Sequence, residues 1–218
     1  MSTGPMRYRN IVFDFDGTIT DSKRDIAGAQ LWVLRRMGVE GHREEDLYPL
    51  IGTSLQDTFA ALLPPAMHHR IDEAAELYAR YYPPRSLETT TLFPGVHETL
   101  AALHASGRRL AVASTKRGTG IRRATDHFGI TGLFVQLQGS DNLPFKPDPA
   151  ILLKLLRDQR WDPGETLMVG DTDKDVLTGR RAGVPTCAVT YGSLTRAELA
   201  AFEPDHLIDR LNDLLTIV

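Results

Sequence analysis

The feature that most limits the fold of this chain is the alternation of strand-like and helix-like segments from residue 93 onward. Short apolar runs with strand character lie at 109–113, 133–137, 166–169 and 186–190, each separated from the next by a helical pattern. Such alternation predicts a mostly parallel sheet with helices on both faces, a doubly wound α/β core. Beyond the last of these strands, the pattern predicts short helices at 197–202 and 208–215, with a further strand at 206–208 as an option between them.

The N-terminal part of the chain divides into one strand and a long helical block. Residues 9–15 contain an apolar run that is typical of a buried strand, and such a strand needs a sheet to pair with. Residues 20–88 show apolar residues at helical spacing, interrupted by two Pro-Pro pairs, and no convincing strand. The predicted organisation is therefore a Rossmann-like core formed by 1–19 and 89–218, with an inserted all-helical cap at 20–88.

Two carboxylates follow the first strand at once. Asp14 and Asp16 are two residues apart, so on an extended segment both side chains point the same way. Gly17 then allows the backbone to turn sharply. In an open α/β sheet, ligands lie at the carboxyl ends of the strands, and two adjacent carboxylates repel unless a cation separates them or one holds a proton. A strand followed by an ordinary turn is the alternative for this motif taken alone.

Polar residues also follow the other predicted core strands. Ser114 follows the second strand, Lys146 lies in a proline-rich loop, and Asp171 and Asp175 follow the strand at 166–169. Taken singly, these residues could cap helices or face solvent. Because parallel strands bring such ends to one edge of the sheet, their joint occurrence predicts a site. Four carboxylates there favour Mg²⁺, while a hydroxyl and a lysine suit phosphate oxygens.

Four segments of the chain resemble the four motifs of the haloacid dehalogenase superfamily. They are Asp14-Phe15-Asp16-Gly17-Thr18, Ser114 at the end of an apolar strand, Lys146-Pro147-Asp148-Pro149, and Gly170-Asp171-Thr172 with Asp175. The resemblance extends over nearly the whole chain, includes a small helical cap after the first motif, and is nearest to the phosphoglycolate phosphatase-like branch. It implies a phosphoric monoester hydrolase that acts on a small phosphorylated metabolite with Mg²⁺ as cofactor.

The resemblance also implies a role for each motif residue. Asp14 would be the nucleophile that forms an aspartyl-phosphate. Asp16 would protonate the leaving oxygen and then activate water. Ser114 and backbone N–H groups after Asp14, for which Gly17 is the candidate, would donate to phosphoryl oxygens. Lys146 would neutralise charge on the nucleophile and the phosphoryl group.

The metal ligands implied by the resemblance come from the same acidic residues. The side chains of Asp14 and Asp171 and the backbone carbonyl of Asp16 would hold Mg²⁺, with Asp175 as a direct or water-mediated ligand. A carboxylate at position 16 also favours phosphate esters or anhydrides, because branches that cleave carbon–halogen or carbon–phosphorus bonds generally lack it. Phosphonate cleavage in the superfamily also uses a cap lysine, and Lys23, the only lysine of the insertion, is interpreted as a surface residue.

Substrate choice is expected to depend on the cap, because the residues predicted at the edge of the core sheet bind the phosphoryl group and the metal ion, which all substrates share. Thr53 and Ser54 lie in a stretch that resembles the cap loop reaching the active site in relatives, so they are candidates for substrate contact. An ordinary helix start, with Ser54 as N-cap, is an equally weighted alternative. Thr115 and Lys116 are candidates for contact with the leaving group. Arg85 is interpreted as a solvated residue.

Composition excludes several classes of protein. A net charge of −3 over 218 residues gives no general attraction to nucleic acid or to an anionic membrane. Cys187 is the only cysteine, which excludes an intramolecular disulfide, and its strand-like flanks predict a buried thiol. No apolar run reaches transmembrane length, and residues 1–10 lack the apolar core of a signal peptide. We therefore expect a cytoplasmic protein. The resemblance described above implies a small phosphate ester as its partner, and a monomer and a homodimer both stay open.

Other functions stay open for such a sequence. A sugar phosphomutase, a pyrophosphatase and a nucleotidase can be built on the same scaffold. A phosphoacceptor signalling domain uses similar residues, but it is much shorter and its paired acids precede the phosphorylated aspartate. A non-catalytic binding protein is disfavoured because all four motifs are intact.

Overall fold

The computed structural model describes residues 7–218, so the predictions for the first six residues lie outside the described part. The chain forms two compact units. One contains the N-terminal segment as far as Thr20 together with Leu92–Val218, and the other is Asp21–Thr91. The second unit begins one residue later and ends three residues later than the cap range of 20–88 expected from sequence.

The first unit is built on a parallel sheet. The strands of the described chain are β1 (Asn10–Phe13), β2 (Thr20–Asp21), β3 (Thr91–Leu92), β4 (Arg109–Ser114), β5 (Phe134–Gly139), β6 (Thr166–Gly170), β7 (Thr186–Val189) and β8 (His206–Ile208). Six of them form one sheet in the order β5-β4-β1-β6-β7-β8. Every neighbouring pair in it is parallel, with Phe13 of β1 level with Val112 of β4 and Val169 of β6. This confirms the predicted α/β class.

Helices surround this sheet in the first unit. The helices of the whole described chain are α1 (Lys23–Arg36), α2 (Glu44–Leu47), α3 (Leu55–Leu62), α4 (Ile71–Tyr81), α5 (Val96–Ala105), α6 (Gly118–His127), α7 (Ala150–Gln159), α8 (Asp173–Arg181) and α9 (Arg196–Ala200). The strand β1 is buried along its whole length, as expected for a central parallel strand with both faces covered. Leu152 and Leu155 of α7, for example, pack in one cluster with Val12 and Met168 of the sheet.

The second unit, Asp21–Thr91, has an apolar core of its own. Its helices α1 to α4 bury Leu34, Leu47, Phe59 and other apolar side chains in one cluster. The carboxylate of Asp25 accepts hydrogen bonds from the backbone N–H and the hydroxyl groups of both Thr89 and Thr90, at 2.6–3.2 Å. This contact fastens the start of α1 to the end of the unit. The short strands β2 and β3 pair where the chain enters and leaves it.

Some expectations about local structure were wrong. The strand offered as an option at 206–208 forms as β8, and the short helix expected at 208–215 is present only as a 3₁₀ helix, Leu211–Thr216. Within the helical block expected at 20–88, Pro65–Arg70 forms a 3₁₀ turn that leads into α4. The strand expected at 9–15 ends at Phe13. The expectation of no strand in 20–88 missed β2, which is too short to leave a periodic signal.

Two further expectations can be compared with the described residues. Cys187 is buried, and burial raises the pKa of its thiol to about 12, as an inert apolar thiol requires. None of the helices between residues 7 and 218 has the length and apolar character that crossing a bilayer would demand.

Candidate active site

The site lies at the carboxyl ends of the three central strands. Asp14 directly follows β1, Ser114 ends β4, and Asp171 directly follows β6. Because these strands are parallel and adjacent in register, their ends meet at one edge of the sheet. All three residues are buried. The sequence-based expectation that these strand ends converge is therefore confirmed geometrically.

Three carboxylates form a buried cluster at this edge. Asp14, Asp171 and Asp175 each offer one carboxylate oxygen, and these oxygens all lie within 4.8 Å of one another. Their residues are 8%, 0% and 1% exposed. Carboxylates at such separations repel strongly away from water, so the cluster needs positive charge or protons.

Lys146 supplies part of that charge. Its ammonium lies 2.8 Å from Oδ1 of Asp14, donates to Oδ1 of Asp175, and donates to the carbonyl oxygen of Ala113 at 3.2 Å. Burial alone would lower the pKa of Lys146, but the Asp14 and Asp175 carboxylates outweigh burial and raise it. The lysine therefore stays charged, and its one positive charge contacts two of the three carboxyl groups.

Asp14 is the least satisfied member of the cluster. Although Lys146 is at ion-pair distance, no group among residues 7–218 is aligned to donate a hydrogen bond to Oδ1 of Asp14. The pKa of Asp14 is raised to about 7, chiefly by burial. The Lys146 charge opposes this shift, and the neighbouring Asp175 and Asp171 add to it. A buried anionic oxygen without an aligned donor is suited to a cation.

Asp171 is held on both oxygens. The hydroxyl of Thr18 donates to Oδ1 at 3.0 Å, and the backbone N–H of Ser193 donates to Oδ2 at 2.8 Å. Burial and Asp175 raise the pKa of Asp171 to about 6, against the lowering effect of these hydrogen bonds. Neither Thr18 nor Ser193 was among the predicted site residues.

Two glycines make room for the Asp171 side chain. A Cβ atom built on Gly17 would lie 2.2 Å from Oδ2 of Asp171, and one built on Gly192 would lie 2.3 Å from its Cβ. Gly17 also has φ of 90°, which other residues rarely adopt. Gly192 and Ser193 lie just beyond the carboxyl end of β7, so extending the strand-end rule to that strand would have found them.

Asp175 serves both the helix and the cluster. Its Oδ2 accepts from the backbone N–H and the hydroxyl of Thr172, at 3.1 and 2.7 Å, which caps the start of α8, while its Oδ1 faces Lys146. The helix-cap role weighed from sequence is thus present, and it coexists with membership of the acidic cluster.

Ser114 is 1% exposed, and its Oγ accepts weakly from the N–H of Lys116 at 3.4 Å.

Asp16 has a different environment from Asp14. Its carboxylate is not part of the acidic cluster, and both of its oxygens lie 3.1 Å from the ammonium of Lys116. The side chains of this pair are only 14% and 9% exposed. The two acids of the first motif therefore have different partners: one faces the cluster and Lys146, the other faces Lys116.

The residues predicted in the cap lie in the other unit. Thr53 donates to the carbonyl of Leu50 at 2.7 Å, and Ser54 caps α3 by accepting from the N–H of Asp57 at 3.0 Å. Both hydroxyls therefore have local structural uses, and substrate contact by them stays a prediction. Arg85 is exposed, with its guanidinium 4.1 Å from the ring centre of Tyr81.

The cluster fits a hard divalent cation. Its donors are carboxylate oxygens, the ligand type that such ions prefer, and they are preassembled around negative charge that Lys146 offsets only in part. Three buried carboxyl groups beside a single lysine are the most direct indication that the cluster can accept a further positive charge.

Comparison with known proteins agrees with the geometry. The sequence model of the haloacid dehalogenase-like hydrolases matches residues 11–189. The chain belongs to this family. A phosphoglycolate phosphatase of Vibrio vulnificus is 32% identical over 216 residues, which cover 95% of each chain. The pyrophosphatase PpaX of Bacillus velezensis is 31% identical, with 97% of this chain and 96% of the relative covered.

Solved structures of haloacid dehalogenase-like proteins have the same architecture. A family member from Streptococcus pneumoniae superposes with a TM-score of 0.89 at 25% identity, covering 97% of this chain and 98% of the other. A predicted phosphoglycolate phosphatase from Haemophilus somnus superposes with a TM-score of 0.88 at 28% identity, covering 98% and 99%. The expectation of a phosphatase-type hydrolase of this family is confirmed.

Proposed function

We propose that this haloacid dehalogenase-like hydrolase is a Mg²⁺-dependent phosphatase that cleaves small phosphate esters through an aspartyl-phosphate on Asp14. The observation that carries the proposal is the buried Asp14 carboxylate at the end of β1, beside Lys146 and within 4.8 Å of oxygens of Asp171 and Asp175. Phosphoryl transfer needs a positioned nucleophile and stabilised charge, and this cluster has the residues for both.

Asp14 is the proposed nucleophile. One of its carboxylate oxygens attacks phosphorus, the phosphorus–oxygen bond to the leaving group breaks, and an acyl phosphate forms on Asp14. Water then attacks the same phosphorus, and the bond to Asp14 breaks to release inorganic phosphate. The raised pKa of Asp14, about 7, fits a carboxylate that is costly to ionise until positive charge joins it.

Asp16 is the proposed acid and base. It gives a proton to the leaving oxygen in the first step and takes one from the attacking water in the second, so the protons balance over the cycle. Its separation from the acidic cluster supports a role different from that of Asp14, because the two carboxylates face different lysines.

The remaining residues stabilise charge. Asp14, Asp171, Asp175 and the backbone carbonyl of Asp16 would hold Mg²⁺. Bound there, the ion would neutralise the nucleophile and the phosphoryl oxygens. Lys146 orients Asp14 and Asp175 and brings a buried positive charge to the cluster. The proposed donors to the phosphoryl oxygens are the hydroxyl of Ser114 and backbone N–H groups near Gly17.

Two substrates are proposed for this site, 2-phosphoglycolate and pyrophosphate. The relatives named as phosphoglycolate phosphatase and as pyrophosphatase are equally similar to the chain, so both chemistries are carried forward. In both molecules the leaving group bears a second anion, a carboxylate or a phosphate. Cytoplasmic location and a monomeric or homodimeric state also stay proposals.

The test compares wild type with Asp14→Asn and with the matched control Asp72→Asn, whose parent residue is exposed on α4. Wild type and the control should release phosphate from 2-phosphoglycolate only with Mg²⁺ and not with EDTA. Asp14→Asn should lose roughly 10⁴-fold or more in kcat while staying folded, because the nucleophile is gone. Borohydride reduction during turnover should convert residue 14 of wild type into homoserine. Retained activity in Asp14→Asn, or trapping at another residue, would contradict the mechanism.

A further inference from the structure

The loop that follows β4 is held rigidly. The hydroxyl of Ser140 donates to the carbonyl of Thr115 at 2.6 Å, and the N–H of Ser140 donates to the carbonyl of Lys116 at 3.3 Å. The N–H of Gly118 donates to Oδ2 of Asp141 at 3.0 Å. These contacts fix the backbone on both sides of Lys116 against the end of β5, so the position from which this side chain starts is well determined.

The side chain of Lys116 is also guided to one place. Its aliphatic carbons run beside Gly120 of α6, where an added Cβ would lie 3.4 Å from Cγ and Cε of the lysine. Its ammonium ends 3.1 Å from each oxygen of Asp16. The lysine side chain is 9% exposed, so bulk water screens its charge less than it would screen a charge on the surface.

The two lysines of the site have separate surroundings. Lys146 is committed to Asp14, Asp175 and the carbonyl of Ala113, on the side of the nucleophile. Lys116 instead lies against Asp16, the group proposed to protonate the leaving oxygen. With Asp16 in that role, a positive charge that contacts both of its oxygens would lie beside the leaving group rather than beside the transferred phosphoryl group.

We propose that Lys116 selects substrates whose leaving group carries a second anion close to the scissile oxygen. This inference rests on the proposed function, in particular on Asp16 as the proton donor to the leaving oxygen. An ammonium that contacts both oxygens of Asp16 can give up one contact for a substrate carboxylate or phosphate oxygen and keep its hydrogen bond to the other. The oxygen of Asp16 that is freed in this way can then carry the proton for the leaving oxygen. The carboxylate of 2-phosphoglycolate and the leaving phosphate of pyrophosphate both meet this requirement, so one residue serves both proposed substrates.

The same geometry predicts discrimination against neutral leaving groups. A leaving group without the anion would leave Lys116 only its existing contacts and gain nothing from it. The matched pair that isolates this difference is 2-phosphoglycolate and 2-hydroxyethyl phosphate, which differ by a carboxylate against a hydroxymethyl group. The preference of wild type for the first, as a ratio of kcat/KM values, should be roughly 10- to 100-fold, the effect of one hydrogen bond to a charged group.

The decisive experiment measures that ratio in wild type, Lys116→Met, Lys116→Arg and the control Lys154→Met. Lys154 also pairs with an aspartate, Asp158, but on the surface of α7. Lys116→Met should lower the ratio to near one, and Lys116→Arg should retain part of it. The control should leave it unchanged. Pyrophosphate should lose activity in parallel with 2-phosphoglycolate.

Contrary outcomes are distinguishable. If Lys116 only positions Asp16, both substrates lose the same factor in Lys116→Met and the ratio is unchanged, which overturns the inference alone. Wild type that hydrolyses both substrates equally well overturns it without any variant, so the test survives a variant that fails to fold. Wild type without Mg²⁺-dependent hydrolysis of any phosphate ester overturns the proposed function, and this inference with it.

Discussion

Binding of Mg²⁺ to the acidic cluster should release protons in a way that depends on pH. In the metal-free protein, burial and mutual repulsion raise the pKa of Asp14 to about 7 and that of Asp171 to about 6. A cation held by these oxygens requires both groups to be ionised. Whatever protons they carry at a given pH must therefore leave when the ion binds.

The size of the effect follows from these two values. At pH 6.5, Asp14 is about three-quarters protonated and Asp171 about one-quarter, so about one proton leaves per ion bound. At pH 8 the release falls to about one-tenth of a proton. At pH 5, competition from protons lowers the apparent affinity for Mg²⁺ about 100-fold at Asp14 and about 10-fold at Asp171. The apparent affinity should therefore be about a thousandfold weaker than at pH 8.

The stability of the metal-free protein depends on pH in the opposite direction from its affinity for Mg²⁺. Both folded-state pKa values lie above those of an unfolded chain, so the folded state holds more protons between about pH 4 and 7. The free energy of unfolding without metal should therefore decrease as pH rises through this window, by something on the order of 4 kcal/mol for Asp14 alone. Added Mg²⁺ should restore stability most strongly at the alkaline end.

The assay is isothermal titration of Mg²⁺ in two buffers with different ionisation enthalpies, repeated from pH 5.5 to 8. The difference in apparent enthalpy between buffers gives the number of protons released. Asp14→Asn is the matched variant, and its release at pH 6.5 should fall to about one-quarter of a proton because only Asp171 still titrates. Affinity that is constant over this pH range, with no proton release at pH 6.5, would refute the reasoning.

Three further predictions concern residues around the cluster. Thr18→Val should weaken Mg²⁺ binding about tenfold by freeing one Asp171 oxygen, with Thr18→Ser near wild type; equal affinities by titration would contradict this. Gly192→Ala places a Cβ 2.3 Å from the Cβ of Asp171, so it should lower the free energy of unfolding in urea by about 1–3 kcal/mol. An unchanged midpoint would show that the loop moves to accept the methyl group without loss of stability. Lys146→Met should lower stability by about 3–5 kcal/mol at pH 8, less at pH 5 where Asp14 is protonated; the same loss at both pH values would argue against charge as the cause.

The core of the site was predictable because parallel strands impose a simple rule. Once the strands ending before Asp14, Ser114 and Asp171 were recognised, the sheet had to bring their ends together. Lys146 followed from its position in a proline-rich loop together with the resemblance of its segment to a family motif. None of this required knowledge of side-chain contacts.

The strand-end rule, extended to β7, points to the loop that contains Ser193. It does not give the hydrogen bonds that these residues receive from their partners. Thr18 and Ser193 are 175 residues apart in the chain and meet only at Asp171, through hydrogen bonds that depend on two loop conformations. The pairing of Lys116 with Asp16 likewise depends on how the loop after β4 is held by Ser140. Such contacts have no periodicity, so apolar patterns carry no record of them.

The C-terminal error has a similar cause. The apolar spacing after Ile208 allows a helix, but that residue hydrogen-bonds into the edge of the sheet as part of β8. Tertiary pairing outweighed local propensity there. The pair β2 and β3 escaped notice because two residues per strand are too few to show alternation.

The second unit begins and ends at paired strands, so the two points where it joins the rest of the chain are neighbours. It also contains its own apolar cluster, and Asp25 ties its first helix to its last residues. A segment with adjacent termini and an independent interior can be lengthened, shortened or exchanged during evolution without rethreading the sheet. Recombination of one continuous stretch of gene can therefore replace this unit and leave the sheet and its acidic cluster intact.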